Sequence, residues 1–514
     1  MSLRRWWQRS KPIPGRPAGG FVAVESGEWL EIASDVAAAG GRLLTLWVTP
    51  HSGARAAATV HAAYLADGGV VVAELILASD AQLYRGLETL FPAAARLQRA
   101  AADLTGFRSD SPDQRPWLRH AAWSVDEPPL RALPAARDPC AVPFDDYPFV
   151  RVAGDGVHEI AVGPVHAGII EPGHFRFSVV GEKVLRLEER LGYVHKGIAR
   201  RFTELSALDG YRLAARISGD TAVAYSWAYC QALEAIAGTS VPMRAQWLRG
   251  AFLELERIQN HLGDLGALGN DAGFAFGLAQ FSRLKEELCR VMAVELGARY
   301  LLDAVVPGGV ARDLSDAGAA RLATEVRRIA ARVAELHRIY DDHAGVRDRF
   351  SGAGLVPAEL AQRLGLTGFA GRASAQATDL RVDAPWAPYH VVAARIAVQR
   401  DGDVAARVAV RFEELAESSR LVAALLAELP PGESRRAVAA PVAAASGIGL
   451  IEGWRGPVLV ALELGEGGRV HRCHAHDPSW QNWPVLEYAV IGNIVPDFPL
   501  INKSFNLSYS GHDG

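Results

Sequence analysis

Two ionisable side chains near the middle of the sequence have the chemistry needed to move protons. Glu171 and His174 lie in one short segment, and stretches containing glycine and histidine at 163–166 and 192–197 flank it. A histidine titrates near neutral pH, so His174 can deliver a proton or hydrogen-bond a carbonyl. A carboxylate that is partly removed from water has a raised pKa and can pass protons. The alternatives are a structural role for His174 and a water-exposed loop cap for Glu171.

The residues around this segment predict short strands and then long helices. Runs at 159–162 and 176–180 read as strands, and strands return at 456–464 and 470–474. Between them, apolar residues recur at helical spacing, with glycine or proline at some of the helix ends. Long adjacent helices of this kind imply a bundle core. The predicted helices span residues 221–237, 243–262, 278–302 and 319–343.

The first part of the chain has a different pattern. Strand-like runs occur at 42–49 and 69–77, and helical segments occupy 80–104 around Pro92. Residues 109–149 are rich in proline, aspartate and arginine without a sustained period, which is typical of a connector. The predicted fold class is therefore an α+β N-terminal domain followed by a mainly α-helical domain with short strands. The predicted segments are an arm (1–20), the α+β domain (21–108), a linker (109–149) and the mainly helical domain (150–514).

The composition is that of a soluble globular protein. The 514 residues are 49% hydrophobic and 22% charged, and the net charge of -4 gives no pull toward nucleic acid. Uninterrupted apolar runs stay shorter than the ~18–20 residues that a membrane helix needs. The arm contains Arg4-Arg5-Trp6-Trp7 without a following apolar region. We expect a frayed polar segment there, or else an anchor to a membrane surface or a partner.

The cysteine count argues against a disulfide framework and against an all-cysteine metal site. The cysteines are scattered and form no C-x-x-C pair, and a reducing cytoplasm fits this usage best. The sequence also has no G-x-G-x-x-G at a strand-to-helix junction, so any NAD(H) chemistry would belong to a partner. The four cysteines are Cys140, Cys230, Cys289 and Cys473.

Further motifs in the second half of the chain carry a family resemblance. They are LELERIQNH at 253–261, DLRVD at 379–383, GWRG at 453–456 and NIVPDFPLINKSF at 493–505. With the segments around Glu171 and at 192–197, they span nearly all of residues 160–514. The sequence resembles the large subunit of energy-converting nickel-iron hydrogenases of the formate hydrogenlyase and hydrogenase-4 group, homologous to the quinone-site subunit of respiratory complex I. The α+β domain is similar to the small complex I subunit often fused ahead of it, on FPAA at 91–94 and DLTGF at 103–107.

The resemblance implies a metal site whose ligands this sequence lacks. The family holds nickel and iron with the thiolates of two C-x-x-C pairs, and the matching positions here are Ser218, Thr221, Ser508 and Gly511. Hydroxyl groups stay protonated near neutral pH and bind such metals poorly, and glycine has no side-chain donor. We therefore expect no nickel-iron centre. Ser218 and Thr221 would instead cap the helix that follows, or contact a small molecule in the emptied pocket.

The complex I homologue implies a second kind of site, in which quinone binds between a histidine and a tyrosine. His174 matches the histidine, but the position of the tyrosine is Gly219. Tyr225 on the following helix is the nearby candidate to replace it, with helix packing as its alternative role. The resemblance also implies that Glu171 matches a carboxylate that relays protons near the metals. Arg455 matches an arginine that faces the metal pocket.

The remaining charged residues of the motifs are expected to have structural or surface roles. Arg381 and Asp383 match an ion pair of the family. Glu254, Glu256 and His261 are expected on a polar side of their helix, facing solvent or a partner subunit.

The resemblance therefore predicts a nickel-iron-free, hydrogenase-like large subunit of a membrane-associated, complex I-related oxidoreductase. It would couple electron transfer, to quinone or another acceptor, to ion translocation. Its expected partners are an iron-sulfur small subunit and ion-translocating membrane subunits, and its expected location is peripheral, on the cytoplasmic face of the inner (plasma) membrane. The alternatives are a redox-inert scaffold of the same complex and, third, an active hydrogenase with unusual ligands.

Overall fold

The structure is a computed structural model of the chain. Cys140 and part of the predicted linker lie outside the residues that it describes. None of the helices in the described ranges combines the length and the apolar character needed to cross a membrane. The described residues are 3–16, 18–51, 57–78, 81, 83–120, 123–131, 147–166 and 170–514.

The N-terminal part is built on a five-stranded sheet with three helices. Its strands are β1 (Lys11–Pro12), β2 (Gly19–Val24), β3 (Arg42–Pro50), β4 (Ala58–Ala66) and β5 (Gly69–Leu77), and its helices are α1 (Leu3–Arg9), α2 (Ser26–Ala38) and α3 (Ala94–Thr105). The strand order is β1-β2-β5-β4-β3, and β2 and β5 pair in parallel. Most residues of β3, β4 and β5 are buried, because the sheet is covered on both faces. The strands predicted at 42–49 and 69–77 are confirmed.

The helical prediction for 80–104 is correct only in its second half. Helix α3 begins at Ala94, just after Pro92, since proline is disfavoured inside a helix and favoured at its start. Before it, the short strand β6 (Leu83–Tyr84) pairs in parallel with β7 (Arg108–Ser109).

The expected frayed arm is wrong for the described N-terminal residues. Trp6 in α1 is fully buried, and its indole N–H donates to Asp35 at 2.8 Å. The guanidinium groups of Arg5 and Arg9 lie 4.3 and 5.2 Å from the centre of the Trp6 ring. The two arginines therefore cover a buried aromatic ring on the sheet domain instead of extending into solvent.

The second part of the chain contains three small sheets. They comprise β8 (Val157–Val162), β9 (His174–Val180) and β10 (Lys183–Arg190); β11 (Val305–Val306) and β12 (Gly309–Val310); and β13 (Ala445–Gly453), β14 (Gly456–Leu464) and β15 (Val470–His476). The predicted strand at 456–464 coincides with β14. Where the two parts of the chain meet, Thr45 on β3 lies 2.8 Å from His474 on β15, so the N-terminal sheet packs directly on the C-terminal one.

Helices form the rest of the second part, and four of them pack together as a bundle: α7 (Met243–Asp271), α8 (Ala275–Leu296), α9 (Asp316–Asp342) and α14 (Val404–Ala427). The first three of these helices were predicted, whereas α14 was not. The chain thus combines α and β structure with several small sheets. The helices are α4 (Ile198–Phe202), α5 (Gly210–Ala214), α6 (Ala222–Ile236), α7 (Met243–Asp271), α8 (Ala275–Leu296), α9 (Asp316–Asp342), α10 (Ala344–Phe350), α11 (Ala358–Leu364), α12 (Gly368–Arg372), α13 (Leu380–Asp383), α14 (Val404–Ala427), α15 (Ser479–Ala489), α16 (Phe498–Phe505) and α17 (Tyr509–Asp513).

Helix α7 continues nine residues beyond its predicted end at Leu262 and stops near Gly273, whose φ of 80° is left-handed. Its glycines permit close packing. A Cβ at Gly269 would lie 2.2 Å from the Tyr340 hydroxyl, which donates to the carbonyl of Leu265 at 2.7 Å. The glycine therefore lets α9 approach the backbone of α7.

The expected exposed face of α7 is wrong, because its charges are buried and paired. Glu254 and His261 are fully buried, and Glu254 lies 3.0 Å from Arg381 while His261 lies 2.9 Å from Glu414. The expected Arg381–Asp383 pair is also wrong. The second carboxylate on Arg381 is that of Asp379, at 2.6 Å. These ions lie among α7, α13 and α14, where each charge needs a partner that replaces water.

Candidate functional site

The four positions that match the family's metal ligands converge at one place. Ser218 and Thr221 precede α6, and Ser508 and Gly511 lie in the last turn of the chain. The hydroxyl oxygens of Ser218 and Ser508 are 3.0 Å apart. Ser218 donates its proton to Asp220 at 2.7 Å, so Ser508 must be the donor between the two serines. Ser508 in turn accepts from the backbone N–H of Gly511 at 2.8 Å, and a chain of hydrogen bonds joins the two segments.

A buried arginine completes this cluster. The Arg455 side chain is 4% exposed and binds both carboxylate oxygens of Asp220, at 2.9 and 2.5 Å. It also donates to the Thr221 hydroxyl at 3.1 Å and to the Asn506 carbonyl at 2.5 Å. Partial burial alone would raise the pKa of Asp220. The Arg455 charge and the hydrogen bonds from Arg455, Ser218 and Thr221 outweigh burial and lower that pKa to about 2.

Asp477 occupies the space beside Gly511. A Cβ at Gly511 would lie 2.3 Å from the Asp477 carboxylate and 2.9 Å from the Ser508 hydroxyl. The same carboxylate accepts from the Tyr225 hydroxyl at 2.7 Å, and Tyr225 is fully buried. Burial and the neighbouring Asp477 carboxylate raise the pKa of Tyr225 well above its usual value. Tyr225 is therefore a neutral hydrogen-bond donor in the core.

The expectation that a Ser218 or Thr221 side chain caps α6 is wrong, because neither hydroxyl accepts a hydrogen bond from a backbone N–H of that helix. Thr221 occupies the cap position, but its hydroxyl donates to Asp220 at 3.1 Å. The free backbone N–H groups at the start of α6, those of residues 223 and 224, point instead at the carboxylate of Glu256, at 2.8 and 3.4 Å. Burial raises the pKa of Glu256 to about 8, and nearby Asp220 contributes to the rise. A hydroxyl of the cluster does cap a helix, but it is that of Ser508 on α17.

Glu171 lies at the edge of the cluster. Its carboxylate accepts from the backbone N–H of Ser510 at 3.1 Å and from the Ser510 hydroxyl. Ser510 lies between the two ligand positions of the last turn. Glu171 thus holds that turn instead of capping a loop in open water.

His174 is not part of the same hydrogen-bonded group. It is 8% exposed, its Nδ1 lies 3.2 Å from the carbonyl of Gly163, and its Nε2 accepts from Arg176 at 3.4 Å. Burial lowers the pKa of His174, which favours the neutral ring near pH 7. Across the described ranges, no hydrogen bond links His174 to Ser218, Asp220 or Arg455.

Gly219 stands at the position expected to match the quinone-binding tyrosine of the complex I homologue, and this position is open to solvent. Gly219 is exposed, and a Cβ added there would meet no atom within 4 Å. The neighbouring Asp220 side chain is 39% exposed. The structure therefore has an accessible edge at Gly219 and Asp220, while Tyr225 points into the core and does not face it.

Sequence reasoning missed the acidic residues that complete the cluster. Asp220 stands between Ser218 and Thr221, so its place in the loop was a usable signal. Asp477 gave no such signal, because its partners are far away in the chain. Glu256 was expected on a polar, solvent- or partner-facing side of its helix, whereas the structure buries it. The tyrosine and the arginine of the cluster, by contrast, were both named from the sequence.

The donor set does not fit a nickel-iron centre. The four matched positions contribute three hydroxyl groups, already engaged in hydrogen bonds, and one glycine. Soft thiolate ligands are what such metals require. Over the described residues, no group of three or more histidine, cysteine, aspartate or glutamate side chains is arranged to hold a metal ion.

Comparisons with known proteins identify the family. Residues 271–446 match the family described as the respiratory-chain NADH dehydrogenase 49 Kd subunit. The chain is also 30% identical over 439 residues to formate hydrogenlyase subunit 5 of Escherichia coli (strain K12), covering 84% of this chain and 77% of that protein. The chain therefore belongs to the same family as formate hydrogenlyase subunit 5.

Two further relatives support this family membership. Hydrogenase-4 component G of E. coli is 29% identical over 448 residues, covering 86% of this chain and 78% of that protein. The carbon monoxide-induced hydrogenase of Rhodospirillum rubrum is 29% identical over 350 residues, covering 68% of this chain and 97% of that protein. These matches confirm the family resemblance predicted from the motifs.

A solved structure shows the same fold. It is a chain of the membrane-bound sulfane sulfur reductase, an archaeal respiratory membrane complex, with a TM-score of 0.66 and 24% identity. The match covers 71% of this chain and all of that chain. At this identity the likeness concerns the fold alone.

Proposed function

We propose that the chain is the large subunit of a membrane-associated, complex I-related oxidoreductase that works without a nickel-iron centre. The observation that carries the proposal is the Ser218–Ser508–Asp220–Arg455 network at the family's metal-ligand positions. Hydroxyl groups and an ion pair cannot replace four thiolates. An iron-sulfur partner subunit would supply the electrons, and partner membrane subunits would translocate ions.

The electron acceptor in this proposal is a quinone or a similar molecule that approaches the open edge at Gly219 and Asp220. Three findings support that place. Gly219 leaves free space, Asp220 is partly exposed and kept ionised by Arg455, and Glu171 holds the adjacent last turn. His174, neutral near pH 7, would bind an acceptor carbonyl only after exchanging one of its present hydrogen bonds.

Metal content tests the first half of the proposal. The intact complex would be isolated, and nickel, iron and bound organic cofactors measured on the same sample. We expect iron from the partner subunit and no stoichiometric nickel. One nickel per chain would contradict the proposal and favour an active hydrogenase with unusual ligands.

Acceptor-dependent oxidation tests the second half. We expect His174→Ala to lower quinone-dependent activity of the complex. His158→Ala is the matched control, because His158 is an exposed histidine on the neighbouring strand β8. Equal activity of both variants and the parent complex would argue against an acceptor role for His174.

A second candidate function is a redox-inert scaffold, and the completeness of the polar network favours it. The hydroxyl groups of Ser218, Thr221 and Ser508 already bond to groups of this chain, so the cluster stabilises itself without a ligand. In that case Asp220→Asn would lower the stability of the complex while acceptor reduction per intact complex stayed unchanged. A fall in acceptor reduction by an intact Asp220→Asn complex would exclude the scaffold.

A further inference from the structure

A cleft of about 370 Å³ separates the N-terminal sheet domain from the helical part. One side is formed by the end of α2, the start of β3 and the turn before α3. The other side is formed by residues 361–366, at the end of α11, together with Gln376 and Thr378. Its volume falls in the range of roughly 300–1,000 Å³ that is typical of small-molecule sites.

The charged residues that line this cleft all have one sign. They are Arg42, at the start of β3, and Arg363, in the last turn of α11. No aspartate or glutamate belongs to the described lining. The described lining therefore contributes positive charge only, and the carboxylates that act electrostatically on Arg42, those of Glu452 and Asp383, lie outside that lining.

The Arg42 guanidinium has N–H donors that make no hydrogen bond among the described residues. Its Nη1 donates to the hydroxyl groups of Thr367 at 3.3 Å and Thr378 at 3.1 Å. Its Nε and Nη2 have no hydrogen-bond acceptor among the described residues, and no carboxylate there lies within ion-pair distance of it. Partly buried charges are ordinarily paired, because removal from water is costly. Arg42 also lines an adjoining cavity of about 20 Å³.

Arg363 complements Arg42 at the cleft. It is exposed, and its guanidinium has no hydrogen-bond acceptor or ion-pair partner among the residues described. Part of the lining is apolar. It is formed by Leu43, Leu90, Phe91, Leu364 and Leu366, and the polar residues Gln362, Gln376, Thr378 and Gln481 also line the cleft.

We propose that this cleft binds a small organic anion with an apolar body. A carboxylate or a phosphate would accept from Arg42 and Arg363, both of which offer the forked donors that these anions prefer. The apolar part of the molecule would cover the leucine and phenylalanine wall. This site is separate from the Ser218–Arg455 cluster and does not depend on the proposed oxidoreductase role.

Calorimetric titration of the full-length chain tests the proposal. The probes are octanoate and octyl phosphate, each below its micelle concentration, and 1-octanol below its solubility limit. We expect at least one of the two anions to bind in a one-to-one ratio and the alcohol to bind much more weakly. The anion that binds with the higher affinity shows whether the cleft prefers a carboxylate or a phosphate. Equal binding of the alcohol and both anions, or no binding of either anion, would overturn the proposal.

Substitutions locate the site. We expect Arg363→Gln to weaken anion binding about threefold, as for one exposed charge contact, and Arg42→Gln to weaken it at least about tenfold. Because Arg42 also joins the two parts of the chain, Arg42→Lys, which retains the charge, should restore part of the affinity. Arg332→Gln, at an exposed arginine of α9 outside the cleft, is the control. Equal losses in Arg363→Gln and Arg332→Gln would show non-specific binding and overturn the assignment.

Discussion

The hydroxyl oxygens of Ser218 and Ser508 lie 3.0 Å apart, although the two residues are 290 positions apart in the chain. Their hydrogen bond ties the loop before α6 to the last turn of the protein. Each serine stands at the first position of one matched ligand pair. The fold therefore still brings the two pairs together, and it holds them by hydroxyl hydrogen bonds and the Arg455–Asp220 ion pair.

Removing either hydroxyl should destabilise the protein. Ser218→Ala and Ser508→Ala should each lower the free energy of unfolding by about 1–2 kcal/mol, because each leaves a buried hydrogen-bonding group without its partner. The double variant should lose less than the sum of the two, since both single changes break the same bond. Urea denaturation of the four proteins measures this coupling.

The control for this double-mutant cycle of Ser218 and Ser508 is Ser226→Ala. The Ser226 hydroxyl is buried on α6 and donates only to the carbonyl of Ala222. Its effect should add to that of Ser508→Ala. Strict additivity in the Ser218–Ser508 cycle as well would mean that the 3.0 Å contact contributes nothing to stability.

Gly511 should tolerate no side chain. Gly511→Ala would place a Cβ 2.3 Å from the Asp477 carboxylate and should cost about 1–3 kcal/mol of stability by overpacking. Gly219→Ala is the matched control, because a Cβ there meets no atom within 4 Å. Thermal unfolding of the two variants compares them. Equal melting temperatures would mean that Asp477 moves aside without cost.

The fold was predicted best where local pattern and tertiary structure agree. Runs of β-branched and leucine residues gave β3, β5 and β14 nearly residue for residue. The charged side of α7 was interpreted wrongly, because the sequence pattern of a solvated face is the same as that of a buried ionic face. The difference lies in Arg381 and Glu414, which are more than 100 residues away from Glu254 and His261.

The candidate site was predictable only in part, for a similar reason. Family motifs located Ser218, Thr221 and Arg455, and the structure brings them together. The hydrogen bonds of His174 depend on a loop carbonyl and on Arg176, and no spacing rule indicates them. Asp477 is recognisable only once the last turn of the chain is folded against it.

Breaking a buried ion pair of α7 should destabilise the protein far more than breaking a surface pair. Arg381→Met would remove the cation that Glu254 and Asp379 share. Glu254 would keep Arg257 at 3.4 Å and Asp379 would keep Arg372 at 3.5 Å, so the expected cost is about 3 kcal/mol, the lower end for a broken buried pair. Arg332→Met removes one cation from an exposed pair with Glu335 and should have no resolvable effect. Chemical denaturation of both variants measures the difference. Similar losses would indicate that Glu254 and Asp379 become protonated or hydrated at little cost.

The contribution of Glu256 to stability should fall as the pH rises above the value at which this residue titrates in the unfolded chain. Burial raises the pKa of Glu256 from 4.5 to about 8. Below pH 4.5 the carboxyl is protonated in both states and imposes no penalty. Between these two values the unfolded chain releases its proton while the folded chain retains it, so the free energy of unfolding decreases with pH. Above about pH 8 the penalty no longer grows.

Glu256→Gln isolates this effect, because the amide oxygen can still accept from the N–H of Val223. The stability of Glu256→Gln relative to the parent protein should rise with pH from 4.5 to about 8 and then level off. Glu335→Gln, at an exposed glutamate of α9, is the control and should give a difference that does not vary with pH in this way. Urea denaturation at half-unit pH intervals provides the curve. A difference that stays constant for Glu256→Gln would mean that the folded protein holds this carboxylate ionised, with Val223 and Ala224 at the start of α6 as sufficient donors.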